Sequence, residues 1–237
     1  MKKHLSTVFL VLVFLTGCGL FLYPSVSDFW NSRRQSQVIA AYETGMGRIG
    51  QEDGAALLEA ARAYNASLLT NESRFYPTEE ETAYYNSLLQ TGTTDMMASI
   101  QIPSIQVSLP VYHGTGEEVL QAGIGHVEGT SLPVGGASTH CVLSGHRGLP
   151  SAKLFSELDQ VKEGDFFYIH VLGEQLAYQV DQIQVVEPQQ METLDIVSGK
   201  DYCTLVTCTP YGVNSHRLLV RGVRTEPEKT GEEPEKS

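Results

Sequence analysis

Cysteine is scarce in this chain, with four in 237 residues, too few to staple a disulfide framework. Positive charge is scarce as well. Sixteen Lys and Arg stand against 28 Asp and Glu, a formal net charge of −12. That balance argues against a protein that clamps nucleic-acid phosphates, which needs clustered cations, and against electrostatic attachment to an anionic bilayer. The acidity is spread along the chain and marks no specialised acidic face. Internal repeats are absent, and so is a second long hydrophobic run. The length suits one domain, or one domain with a small accessory part.

The one long apolar run is residues 5–22, LSTVFLVLVFLTGCGLFL, which carries no charge and follows Lys2 and Lys3. It is about long enough to cross a bilayer as a helix, and the lysines before it keep the N-terminus inside. Everything after residue 25 is then expected outside, on a cell membrane. Leu15-Thr16-Gly17-Cys18 also resembles a bacterial lipobox, which leaves acylation of Cys18 as a second fate for this segment. Apolar residues continuing past Cys18 favour the uncleaved anchor. At the other end, residues 225–237 are rich in Pro, Glu and Lys without apolar residues, and are expected to be a disordered acidic tail.

Between these ends the texture changes once. Residues 26–96 read as a helical extension. A stripe of Phe29, Val38, Ile39 and Tyr42 runs over about 28–49, strong helix formers fill 55–62, and a break at 71–79 precedes a short helix over 80–90. From 97 to 224 the chain becomes short runs rich in Val, Ile, Thr and Tyr. Seven or eight strands, with one short helix over about 151–160, predict a mainly β fold built as a closed or nearly closed barrel.

The richest segment for chemistry is TLVTCTPYGVNSHRLLVRG, residues 204–222. One β run ends on Cys208, a Pro/Gly loop turns the chain, and a second run opens on His216 and Arg217. An antiparallel return brings the Arg217 cation near Cys208 and favours the thiolate, the reactive form of cysteine. His146, in LSGHRG at the end of another β run, is the best partner base. His113, His126, His140, His170 and His216 could join cysteines on a metal, but Cys203 and Cys208 are five apart on one strand and face opposite sides. No metal site and no cofactor are expected. The same parity places Cys141 and Cys203, each five residues before an active residue, side by side and away from the site, as an inert pair or a disulfide.

These residues carry a resemblance. TLVTC is similar to the nucleophile motif of the sortases, cell-wall transpeptidases of Gram-positive bacteria. Arg217 falls at the position of their arginine, and SGHRGL matches their histidine segment. Further matches (IQIPSI, LPVYHGT, GHVEGTSLPVGG, HRGLPSAKLF) look like the class C, pilin-polymerising members, over roughly residues 20–224. The resemblance implies a sortase-like barrel and a cysteine transpeptidase that cleaves an LPxTG-like sorting signal between Thr and Gly. Cys208 would be the nucleophile, His146 the acid and base, and Arg217 the donor to the oxyanion, with Thr207 lending a substrate-facing hydroxyl. The acceptor would be a lysine amine of another pilin subunit, or, in a wall-anchoring sortase, lipid II or another cell-wall amine. Class C members carry a lid with an Asp-Pro-aromatic anchor. The loop here, NESRFYPTEEE, lacks that tripeptide and offers Phe75 or Tyr76 to the groove instead. A non-enzymatic, membrane-tethered binding module is the competing class, and it must treat all three segments as coincidence.

Overall fold

The computed structural model describes residues 2–226. A single helix, α1 (Lys2–Met46), runs unbroken from the apolar segment into the folded domain. From Thr7 onward it is long and apolar enough to cross a membrane, and its most apolar window is fully exposed. The boundary expected at residue 25 therefore falls inside a helix, one residue after Pro24, which α1 carries in its interior. Further along, Ile39 and Tyr42 bury against Met96. The Tyr42 hydroxyl donates to the Met97 carbonyl (3.0 Å) and accepts the Leu172 N–H (3.0 Å), tying α1 to the barrel at two points.

Two more helices follow, α2 (Gln51–Ser67) and α3 (Glu79–Ser87). The start of α3 is set locally. The Thr78 hydroxyl accepts the Glu81 N–H while the Glu81 carboxylate accepts the Thr78 N–H, a capping box that satisfies two orphan donors. The docking of α2 is set by a buried amide. Asn65 accepts the Leu132 N–H (2.7 Å) and donates to the Leu132 carbonyl (3.2 Å), clamping the helix to the loop after residue 126.

Eight strands close the barrel. They are β1 (Met96–Ile102), β2 (Val107–His113), β3 (Ile124–His126), β4 (Thr139–Ser144), β5 (Phe166–Val171), β6 (Glu174–Val186), β7 (Asp201–Thr209) and β8 (His216–Thr225). Their order around the barrel is β1-β2-β3-β4-β7-β8-β6-β5, with β5 returning to β1. Alternate residues point inward, so Cys141 and Leu143 meet Cys203 and Leu205 in the core, stacked with Phe167 and Tyr178. Gly222 is obligatory there, because a Cβ would come within 2.6 Å of the Phe167 ring. Cys141 and Cys203 are direct partners in the parallel β4–β7 register, both buried. The disulfide alternative does not hold: they stand as two free thiols, and burial with the Cys141 hydrogen bond pushes the Cys203 thiol well up.

The structure departs from the expected pattern in three further places. β3 is three residues long and too short to show a period. It is fed by a six-residue helix, α4 (Glu117–Ala122), also unforeseen. Residues 151–160 do not form the expected helix. Leu154 takes a left-handed φ of 39°, and only a turn of 3-10 helix survives at Leu158–Gln160. The cause is tertiary: the Lys153 N–H is bonded to Asp28 of α1, and the Phe155 N–H returns to the His146 carbonyl. Finally, β8 includes Thr225, so the barrel reaches into the expected tail. Residues 227–237 of that tail lie outside the described residues.

Beneath α3 the fold buries a polar cluster. The Tyr85 hydroxyl sits 2.8 Å from His126 Nδ1 and accepts the Gly114 N–H (3.0 Å), while His113 is the direct β2 partner of His126. Burial, reinforced by His126, lowers the His113 pKa from 6.5 to about 4. The unfolded chain therefore binds a proton that the folded chain refuses. Stability is expected to be flat above pH 6.5 and to fall as pH drops from 6.5 to 4, by up to about 3 kcal/mol from this residue. Urea unfolding at pH 7.5 and 4.5 checks this: the pH-dependent loss should shrink in His113→Asn, and an equal loss in both proteins refutes the assignment.

Candidate active site

Strand pairing fixes the site before any side chain is considered. In the parallel β4–β7 ladder Ser144 pairs with Val206, and the Gly145 N–H extends it by bonding the Val206 carbonyl (3.0 Å). The same register carried two residues on sets His146 beside Cys208. In the antiparallel β7–β8 ladder, Cys208 is the direct partner of Arg217. The three side chains thus share one level at one end of three adjacent strands, whose spacing is about 4.8 Å.

Each is held by local chemistry. Gly145 permits the turn into His146, since a Cβ there would come within 2.6 Å of Ile124 and 2.7 Å of Phe155. Thr207 was expected to face substrate, and the structure corrects this. Its side chain alternates with that of Cys208, is only 2% exposed, and donates to the Gly145 carbonyl (2.8 Å). Thr207 is a positioning residue for the histidine segment. His146 Nε2 has no hydrogen-bond partner among the described residues. The Glu117 carboxylate on α4 lies 3.9 Å from it, too far for a hydrogen bond. Arg217 spends one nitrogen on the carbonyls of Asn214 (3.3 Å) and His216 (3.1 Å) and has no carboxylate partner among the described residues, so the rest of its donor fork remains available. Sequence reasoning passed over a second cation. Arg147 bonds the Thr209 hydroxyl (3.2 Å) and is neutralised by Asp159. Only its place beside His146 hinted at this.

The outer face of the same strands is covered by a second, smaller apolar cluster. His140, Val142 and Ser144 on β4 share a face with Thr204, Val206 and Cys208 on β7. Val142 packs there with Leu194 and Leu219, against Val186 and Val206. At the far end of this face from Cys208, His140 sits between the Thr204 hydroxyl (2.7 Å) and the Asp195 carbonyl (2.9 Å). Burial lowers the His140 pKa. The 71–79 loop docks at this far end, roughly 13 Å along β7 from Cys208. There Arg74 pairs with Asp195 (3.0 Å), and the half-buried Phe75 lies under the Arg74 guanidinium, against Gly129. Tyr76, one of the two aromatics expected at the groove, instead points into solvent at 86% exposure.

A family profile described as the sortase domain matches residues 100–225. The chain belongs to the sortase family. The barrel from the middle of β1 onward and the Cys208–His146–Arg217 level lie within that match. Among solved structures, sortase C1 from Streptococcus agalactiae is 49% identical with a TM-score of 0.78, covering 81% of this chain and all of that one. Sortase C from Streptococcus pneumoniae is 46% identical with a TM-score of 0.71, over 80% of this chain and 96% of that one. Sortase A from Corynebacterium diphtheriae is 39% identical with a TM-score of 0.71, over 84% and 97%. Among curated relatives, sortase A of Streptococcus agalactiae is 33% identical over 140 residues, 58% of this chain and 55% of that protein, so the match spans about half of that relative. Sortases are cysteine transpeptidases, and with the family shown the binding-module reading is set aside.

Proposed function

We propose that this sortase is a membrane-anchored pilin polymerase of class C type, with Cys208 as nucleophile. The observation that carries the chemistry is the shared level of His146, Cys208 and Arg217 across β4, β7 and β8. The Cys208 thiolate attacks the carbonyl carbon of Thr in an LPxTG-like signal. Arg217 donates hydrogen bonds to the oxygen as negative charge develops on it. His146 gives a ring proton to the glycine amine as the C–N bond breaks, leaving a thioester. A lysine amine of another pilin then attacks the thioester, its proton passes to His146, and the C–S bond breaks to restore the thiolate. One amide is exchanged for another, so no redox partner or cofactor is required.

The pilin substrate is supported by similarity to class C enzymes, among them the pneumococcal sortase C, whose structure was described in connection with pilin substrate specificity. Attachment of surface proteins to a cell-wall amine is the second reading, favoured by similarity to proteins named sortase A. Membrane anchorage rests on the length and apolar character of α1. Co-expression with an LPxTG-bearing pilin tests the assignment. A high-mass ladder joined through pilin lysines is expected. Monomers linked to a wall-peptide amine would establish the anchoring reading in its place.

A further inference from the structure

Outside α1, large apolar side chains are seldom left in water, yet the β7–β8 turn exposes two within three residues. Tyr211 is 63% and Val213 69% exposed. Gly212 between them has φ +74°, which turns the tip outward, and residues 209–216 contain no acidic or basic side chain other than His216. Tyr211 packs backward onto the segment after the active-site histidine. The Arg147 guanidinium lies 5.9 Å from its ring, and a Cβ on Gly148 would come within 2.7 Å of it.

That segment also meets α1. The side chains of Ser27 (3.4 Å) and Asn31 (2.7 Å) both donate to the Ser151 carbonyl, and the Asp28 carboxylate accepts the Lys153 N–H (2.7 Å). At 1.5 Å per residue, these contacts lie roughly 8–14 Å past Leu22, the end of the apolar run. Residues 5–22 span about 27 Å of a hydrocarbon core of about 30 Å, so the contacts begin at headgroup depth and run to just above it. Exposed Trp30, an interfacial residue by chemistry, sits at the same level. The helix is continuous and bonds the fold again beyond this level, at Gln35 and Tyr42, so the barrel is mounted on it.

We infer that the tip of the β7–β8 turn, through Tyr211 and Val213, rests in the headgroup–acyl boundary of the bilayer that α1 crosses, an inference that rests on the anchorage proposed above. The occupant is lipid. The apolar surface of α1, its interfacial Trp30 and the neutral tip form one band around the contact with residues 151–153. Cys208, three residues before Tyr211, is then held at the membrane surface and works on peptide presented there.

The chain has a single tryptophan, which makes the test direct. Full-length protein carrying Trp30→Phe with Tyr211→Trp is reconstituted into phosphatidylcholine–phosphatidylglycerol vesicles, with or without lipid brominated near the glycerol end of the acyl chain. About twofold quenching and a blue-shifted emission are expected. Val213→Trp in the same background repeats the measurement from the neighbouring position should Tyr211→Trp fold poorly, and its quenching is equally expected. Leu22→Trp, at the outer end of the apolar run, reports on the anchor itself. Quenching at position 22 with none at 211 or 213 overturns the inference alone. Absence of quenching at 22 overturns the anchorage and the inference with it.

Discussion

Full-length protein carrying Cys208→Ala is expected to form no acyl-enzyme with an LPxTG peptide and to lose transpeptidation by about 10⁴-fold or more. The loss should be purely chemical. Cys208 is only partly buried, at a strand end, so its replacement should change unfolding free energy by no more than about 0.5 kcal/mol. Cys203→Ala should do the reverse. Its thiol is enclosed in the core against Cys141, so the variant should lose about 1 kcal/mol of stability and still acylate at Cys208. Intact-mass spectra after peptide addition, with thermal melts of both variants, separate the two cysteines. A thioester persisting in Cys208→Ala would remove the assigned nucleophile.

Arg217→Ala carries the second largest effect. Arg217 is the direct partner of Cys208 across the β7–β8 ladder, and its guanidinium spends only one nitrogen, on two backbone carbonyls of its own turn. Losing the donors that meet a developing oxyanion should lower kcat/KM by about 10²- to 10³-fold. The melting temperature should hardly move, because the variant leaves no buried charge unpaired. Arg217→Lys should recover part of the loss, since an ammonium supplies charge but not the planar fork. Steady-state kinetics with separate kcat and KM locate the effect. A fall in kcat assigns Arg217 to the transition state, and a rise in KM alone would make it a ground-state binding residue. An unchanged kcat/KM would exclude it from the reaction.

The barrel was readable because half-buried strands write their pattern every second residue. Most of its runs survive in β1, β2 and β4 to β8. β3 was missed because three residues cannot show a period. Residues 151–160 misled for a different reason: their composition suits a helix, but their backbone is committed to Asp28 and His146, partners distant in sequence. The level of His146, Cys208 and Arg217 was legible from strand ends alone. Thr207 could have been placed correctly by the same parity that paired Cys141 with Cys203, since neighbours on a strand face opposite ways. The Arg74–Asp195 contact was not legible, because nothing local links residues 121 apart.

That contact also bounds what one substitution can do to the loop. Asp195 is largely exposed, and an ion pair open to water contributes at most about 1 kcal/mol. Arg74→Ala would therefore shift any balance between docked and undocked loop by no more than about fivefold through the lost pair, leaving Phe75 packed against Gly129 to hold the rest.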